Sequence, residues 1–219
     1  MLFDLRSRRR RRTVQVVYLG LALIMGGGLV LFGVGTGNGL GGLLNGLTGS
    51  GSNQQGSIIS SQQKAATRQT KKEPNNPAAW ANLVTADWEA ASGNGYDSAT
   101  QTYTTQGKQE LAGVTSAYEH YTALTKSPNP NIAILAAHAY GALGDYSKEA
   151  SAYDAVTLAE PSQVKGFECL AISAYAANQT REGDLAAAKA ASMVPKSARK
   201  TVTNEINVAK TQPTLARSC

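Results

Sequence analysis

The sequence predicts an all-α protein with an N-terminal transmembrane helix, a flexible glycine-rich linker and a short solenoid of helical hairpins. Three observations predict it. Residues 14–34 form an apolar stretch without a charged side chain. Glycine is the commonest residue of the following segment, residues 35–56. Residues 57–211 are then rich in alanine and other helix-favouring residues, interrupted by regularly spaced prolines.

Residues 14–34 are predicted to span a membrane once. At 1.5 Å per residue, a helix of this length reaches about 30 Å, the thickness of the hydrocarbon core of a bilayer. No small-residue cleavage site followed by a polar break ends the stretch, which favours a retained signal anchor over a removed signal peptide.

A run of arginines in the tail before the span, residues 1–13, predicts its orientation, because basic flanks stay in the cytoplasm. No lysine or arginine follows the span until Lys64. We therefore expect a single-pass cell-membrane protein of bacterial type, with its N-terminus in the cytoplasm and its C-terminal domain outside. The basic residues expected to contact anionic lipid head groups are Arg6, Arg8, Arg9, Arg10, Arg11 and Arg12.

The formal net charge of +6 belongs almost entirely to that tail. Its six arginines and Asp4 sum to +5, which leaves 15 basic and 14 acidic residues, or +1, for the rest of the chain. A nearly neutral remainder has no basic surface for phosphate groups, so we expect no nucleic-acid partner. The linker, residues 35–56, should behave as a flexible tether.

Prolines divide the C-terminal domain, residues 57–211, into units. Pro128, Pro161 and Pro195 are separated by 33 and 34 residues, a period typical of two-helix repeats. One hairpin of this size buries too little apolar surface to offset its chain entropy, so neighbouring units are expected to stack.

The unit at residues 130–161 contains the turn Gly144-Asp145-Tyr146, with Ala150 and Tyr153 on the helix that follows. It resembles the tetratricopeptide repeat (TPR), in which such a turn joins two helices that mesh through small and aromatic residues. Glu149 departs from the pattern, since it occupies the usual alanine position. Tyr153 and Leu170 are expected in the inter-helix core.

The flanking units resemble the same repeat less fully. One covers residues 164–195, and the other begins near Trp80 and is interrupted by an insertion, residues 92–109, before its second helix at 110–125. Helices at 57–72 and 197–210 are expected to cap the two ends, followed by a C-terminal tail at residues 212–219. The buried face predicted for the second cap is Ala198, Val202, Ile206 and Ala209.

The residues that carry chemistry are sparse. No phosphate-binding loop, metalloprotease or nucleophile motif occurs, and His120 and His138 are the only histidines. We therefore expect no catalytic site, metal or cofactor, and no enzyme activity. Cys169 lies among apolar residues and should be buried, whereas Cys219 is left open between a free thiol and an intermolecular disulfide.

The resemblance implies a concave groove, lined by the first helix of each unit, that binds a peptide. Trp88 and Tyr175 would be its anchors, with Tyr96 and Tyr103 of the insertion folding over it as a lid. The alternatives are that these aromatics pack inside the domain and that the insertion is a solvated loop. The candidate partner-binding residues are Thr85, Trp88, Ile134, His138, Glu168, Ile172 and Tyr175.

A membrane-anchored module for protein–protein interaction or scaffolding, displayed outside the cytoplasm, is the function that these features favour. An accessory subunit of an envelope or secretion complex would have this architecture. The alternative is a tethered holdase, a chaperone for exported polypeptides, which would use the same apolar groove without one cognate partner.

Overall fold

The computed structural model describes residues 51–212 and 219, with side chains from Ile58 onward. The predicted tail, the span at 14–34 and the linker up to residue 50 lie outside the described residues. None of the helices found between residues 51 and 212 is both long and apolar enough to cross a bilayer. Residues 55–219 form a compact unit of their own.

Eight helices and one small hairpin of strands make up the described residues. In chain order they are α1 (Gly51–Lys72), α2 (Pro77–Gly93), β1 (Tyr96–Asp97), β2 (Thr102–Tyr103), α3 (Thr105–Leu124), α4 (Pro130–Leu143), α5 (Tyr146–Ala159), α6 (Val164–Ala176), α7 (Thr180–Met193) and α8 (Lys196–Thr211). The all-α class predicted from the sequence is confirmed in its coarse form, because the domain is mostly helical.

Neighbouring helices pack as pairs, and the pairs pack in chain order. The hairpins are α2 with α3, α4 with α5 and α6 with α7; α3 then packs on α4, and α5 on α6. Helix α8 closes the series against α6 and α7. This arrangement is compatible with a helical repeat protein, since each pair buries its apolar faces against the next.

The helices begin where the sequence supplies caps. Asn76 and Asn129 each stand before a proline at the first helical position, and each side chain accepts a hydrogen bond from a backbone N–H of the first turn. The turn between α4 and α5 uses Gly144 at φ +83°, a left-handed conformation that glycine adopts without a steric penalty. Asp145 then caps α5 by accepting from the Lys148 N–H.

The insertion predicted at residues 92–109 is shorter in the structure and contains a two-stranded hairpin. Thr104 caps α3 through the Gly107 N–H, so this helix begins at Thr105 instead of residue 110. Tyr96 and Asp97 pair antiparallel with Tyr103 and Thr102. A β-carbon at Gly107 would lie 2.1 Å from the Gly95 carbonyl oxygen, so only glycine lets the base of the hairpin close.

Helix α1 also begins earlier than predicted, at Gly51 instead of residue 57. Extending an existing helix adds one hydrogen bond for each residue fixed, which offsets the low propensity of the glycines. Among the α1 side chains that the structure describes, from Ile58 onward, Ile59, Ala66 and Thr70 are buried. They recur at helical spacing, as expected of a helix that packs through one face.

The core follows the apolar faces predicted from the sequence. Tyr153 is 3% exposed and Leu170 is 5% exposed, as expected for residues between stacked helices. Val202, Ile206 and Ala209 are buried on α8, while Ala198 is half-buried.

Candidate functional site

All seven candidate groove residues lie on the first helices of the three hairpins, and six of them are half-buried. The rings of Trp88 on α2 and His138 on α4 are 5.7 Å apart, so these two helices meet at the predicted surface. We use the name "groove" for the surface that these six half-buried residues line. They are Thr85 and Trp88 on α2, Ile134 and His138 on α4, and Glu168 and Ile172 on α6.

Tyr175, the seventh candidate, packs inside the domain. Its side chain stands against Gly183, where a β-carbon would lie 2.5 Å from the ring. Its hydroxyl donates to Asp184 at 2.7 Å, and the Lys210 ammonium lies 4.5 Å from the ring centroid. Tyr175 therefore joins α6, α7 and α8, which fits the alternative of intramolecular packing and removes it from the groove.

The sequence left the bonding state of Cys219 undecided. It forms a disulfide with Cys169 of α6, and the two Cα atoms are 5.5 Å apart. Cys169 is 1% exposed, as predicted for a buried side chain, whereas Cys219 is half-buried and packs against the core. The bond is intramolecular, so the intermolecular disulfide considered from the sequence is not present in this structure.

His138, on α4, also contacts Cys219. Its ring is hydrogen-bonded to the Cys219 backbone, and burial lowers the pKa of His138 more than this bond raises it. A lowered pKa makes the imidazole neutral at pH 7, with an N–H that donates to the carbonyl oxygen. Cys219 thus bridges α4 and α6 through one covalent bond and one hydrogen bond.

A buried polar cluster adjoins His138 within the domain. The ring of Tyr153 is 6.5 Å from that of His138, and Tyr153 neighbours Glu149 on α5. The Tyr153 hydroxyl, the Ser173 hydroxyl and Oε2 of Glu149 are all buried and have no hydrogen-bond partner. Buried polar atoms of this kind reduce stability unless they find a partner.

Burial raises the pKa of Glu149 to about 8, and the nearby Ser173 hydroxyl lowers it by less. Ser173 stabilises the carboxylate weakly because no hydrogen bond between the two is completed. The carboxyl stands directly on Gly141 of α4, where a β-carbon would lie 2.8 Å from Oε2. Gly141 therefore provides the space that the Glu149 side chain needs.

A second buried carboxylate, Asp87, lies at the α1 end of the domain. Gln63 of α1 donates to Asp87 at 2.8 Å and also to Glu110 of α3. Burial raises the pKa of Asp87 to about 6, against the lowering effect of the Gln63 bond. This network fastens α1 to the first hairpin, so we assign it a structural role.

The strand hairpin packs on the two helices that flank it, α2 and α3. Tyr96 and Tyr103 contact each other edge to face, with ring centroids 5.1 Å apart. Tyr103 is half-buried against the core, and Tyr96 is 40% exposed. Their role as a lid over the groove stays a prediction.

An apolar cleft of about 450 Å³ lies outside the groove residues, between α5, α6 and α7. Leu158 and Leu185, which line it, are 75% and 64% exposed, the highest values among the exposed large apolar side chains of the described residues. Phe167, Leu170 and Pro161 also contribute apolar surface to its wall. Nothing in the sequence pattern distinguished Leu158 and Leu185 from core positions.

Within residues 51–212 and 219, no group of three or more His, Cys, Asp or Glu side chains is placed to bind a metal ion. Comparison of the chain with protein-family models, with curated proteins and with solved structures finds no match.

Proposed function

We propose that this chain is a membrane-anchored, TPR-like module for protein–protein interaction, displayed outside the cytoplasm, whose groove binds a segment of a partner protein. One observation carries the proposal. The residue Cys219 is held at the groove by a hydrogen bond from His138 of α4 and a disulfide with Cys169 of α6. The same surface offers a partner an imidazole N–H and apolar side chains, which suit an extended backbone.

The cellular location is part of the proposal and is supported by the sequence and the disulfide. The six arginines before residues 14–34 favour a cytoplasmic N-terminus. Disulfides persist in oxidising compartments and are rare in the cytosol, so a Cys169–Cys219 bond suits a domain outside the cytoplasm.

The groove can be tested with pairs of matched variants in intact cells. Membrane-impermeant crosslinking followed by purification of the full chain should recover one stoichiometric partner. His138→Ala and Ile134→Ala should reduce its yield, because both side chains lie on the groove face of α4. His120→Ala is the control, since this exposed histidine stacks on Trp80 instead.

Equal loss of the partner in the His138 and His120 variants would argue against the groove as the binding surface. Circular dichroism melting of each purified variant separates lost binding from lost folding. A recovered partner that depends on neither Ile134 nor His138 would move the interaction to another face.

A holdase is the second candidate, favoured by the exposed leucines of the cleft between α5 and α7. Exposed apolar patches attract unfolded chains. In an aggregation assay with an unfolded client protein, Leu158→Ser with Leu185→Ser should abolish protection if this role is correct. His138→Ala should leave protection unchanged, and many substoichiometric clients should replace the single partner.

A further inference from the structure

Cys219 lies at the groove, where it restricts the access of a partner segment. Its disulfide partner, Cys169, stands on α6 between Glu168 and Ile172, and its hydrogen-bond partner, His138, stands on α4 one turn after Ile134. Cys219 therefore contacts one groove residue, His138, and is bonded to a cysteine that is next to another, Glu168. While Cys219 is in place, the N–H that the groove offers to a polypeptide backbone is already engaged.

We propose that Cys219 is a redox latch: its disulfide with Cys169 keeps Cys219 in the groove, and reduction of that bond vacates the surface. This inference rests on the proposed function, because it concerns access to the same groove. A single hydrogen bond contributes little net free energy, so the covalent bond is the main tie that holds Cys219. The occupant in the closed state is this chain's own cysteine, and a partner segment replaces it in the open state.

The opening step is thiol–disulfide exchange with a dithiol reductant, of the kind that thiol–disulfide oxidoreductases carry. One thiolate attacks the Cys219 sulfur, which belongs to the less buried cysteine, and the Cys169 sulfur leaves with the bonding electron pair. Cys169 then takes up a proton in its apolar surroundings. The second thiolate of the reductant releases Cys219, so two electrons pass to the protein and the reductant becomes a disulfide.

Closing the latch reverses this exchange and competes with the partner. Because Cys219 belongs to the same chain, it returns to the groove as an intramolecular ligand at a high effective concentration. A partner segment therefore binds the oxidised chain weakly and the reduced chain more tightly.

The two histidines make the latch measurable without knowledge of the partner. Diethyl pyrocarbonate acylates neutral, accessible imidazole nitrogens, and His138 is covered by Cys219 while the exposed His120 is not. The full chain in detergent is divided into an oxidised sample and a sample reduced with dithiothreitol, which is then removed. Mass spectrometry follows acylation of each histidine with time.

Reduction should raise the acylation rate of His138 several-fold and leave that of His120 unchanged. Cys219→Ser should give the fast His138 rate with or without reductant. This variant changes a half-buried tail residue and leaves Cys169 in the core, and circular dichroism melting verifies that it folds.

Equal His138 rates in oxidised, reduced and Cys219→Ser chains would overturn the latch. A covalent dimer of the oxidised chain on a non-reducing gel would also overturn it, since Cys219 would then be bonded to another copy. These rates involve no partner protein. A latch that opens, while crosslinking of cells treated with reductant recovers nothing, would refute the proposed function and leave the latch intact.

Discussion

At the scale of single residues, the buried carboxyl of Glu149 is the clearest case of a side chain whose surroundings oppose its charge. It is 1% exposed, stands on Gly141 and has an oxygen without a hydrogen-bond partner. Its position in the first turn of α5 favours a negative charge through the helix dipole, but burial outweighs this, and its pKa rises to about 8.

The raised pKa predicts that the stability of the domain falls as pH rises. The folded state keeps a proton on Glu149 that the unfolded state releases from about pH 4.5, its ordinary pKa, so stability is lost between there and about pH 8. Glu149→Gln should remove this dependence, and the variant should be more stable than the parent at pH 8. Urea unfolding of the full chain in detergent at pH 5 and pH 8 measures the free energy of unfolding of the parent and the variant.

Glu205→Gln, at an exposed position of α8, is the control for that measurement. Its free energy of unfolding should equal that of the parent at both pH values. Because each variant is compared with the parent at the same pH, the titration of His138 and Asp87 cancels. A Glu149→Gln chain with the same pH dependence as the parent would contradict the burial of an ionisable carboxyl there.

At the scale of elements, helix ends and buried faces follow local signals. Asparagine caps, prolines at the first helical position and Gly144 after α4 all lie in the sequence as it is printed, and the structure uses each of them. The start of α3 was predicted five residues too late because Thr104 acts as its cap only once Gly95 and Gly107 approach each other.

Helix α8 packs against the rest of the domain through one face. Ile206 is 1% exposed and Val208, two residues later, is 44% exposed. Ile206→Ala should lower the free energy of unfolding by about 2–5 kcal/mol, because it leaves a cavity against the last hairpin. Val208→Ala, the matched control on the same helix, should change it by less than about 0.5 kcal/mol. Equal effects in chemical denaturation would contradict the orientation of α8.

At the scale of the whole molecule, the disulfide closes a long loop, since its cysteines are 50 residues apart. Constraining a loop of this length stabilises a fold by about 4 kcal/mol in the chain-entropy model, and about 2–4 kcal/mol is typical of experiment. Cys219→Ser should lower the free energy of unfolding by a value in that range, measured by urea unfolding of the oxidised chain. Reduction of the parent should give the same loss, and reductant should not affect the variant.

The proposed topology makes a separate prediction for intact cells whose wall has been removed. Added protease should degrade the C-terminal domain and spare the tail with the span, because the arginine run keeps only the N-terminus inside. Replacement of residues 8–12 with serine should give mixed orientation. Full protection of the domain behind an intact membrane would contradict the topology.

The sequence by itself determined the helical class of this protein, most helix positions and much of the core. These features depend on capping, periodicity and proline spacing within a few tens of residues, and Tyr153, Leu170 and Ile206 are buried as the pattern requires. The site was predicted only in part. All seven groove candidates lie on the first helices of the hairpins, but Tyr175 is buried against α7 and α8 while the other six are half-buried.

Only the tertiary structure decided the contacts between residues that are distant in the chain. Whether Tyr175 faces a groove or the Lys210 of α8 depends on how the last helix packs. Cys169 and Cys219 are 50 residues apart in the chain. No local sequence pattern predicts that two such distant cysteines pair. Glu149 is tolerated because Gly141 on the neighbouring helix leaves space, and that fit arises only when both helices are in place.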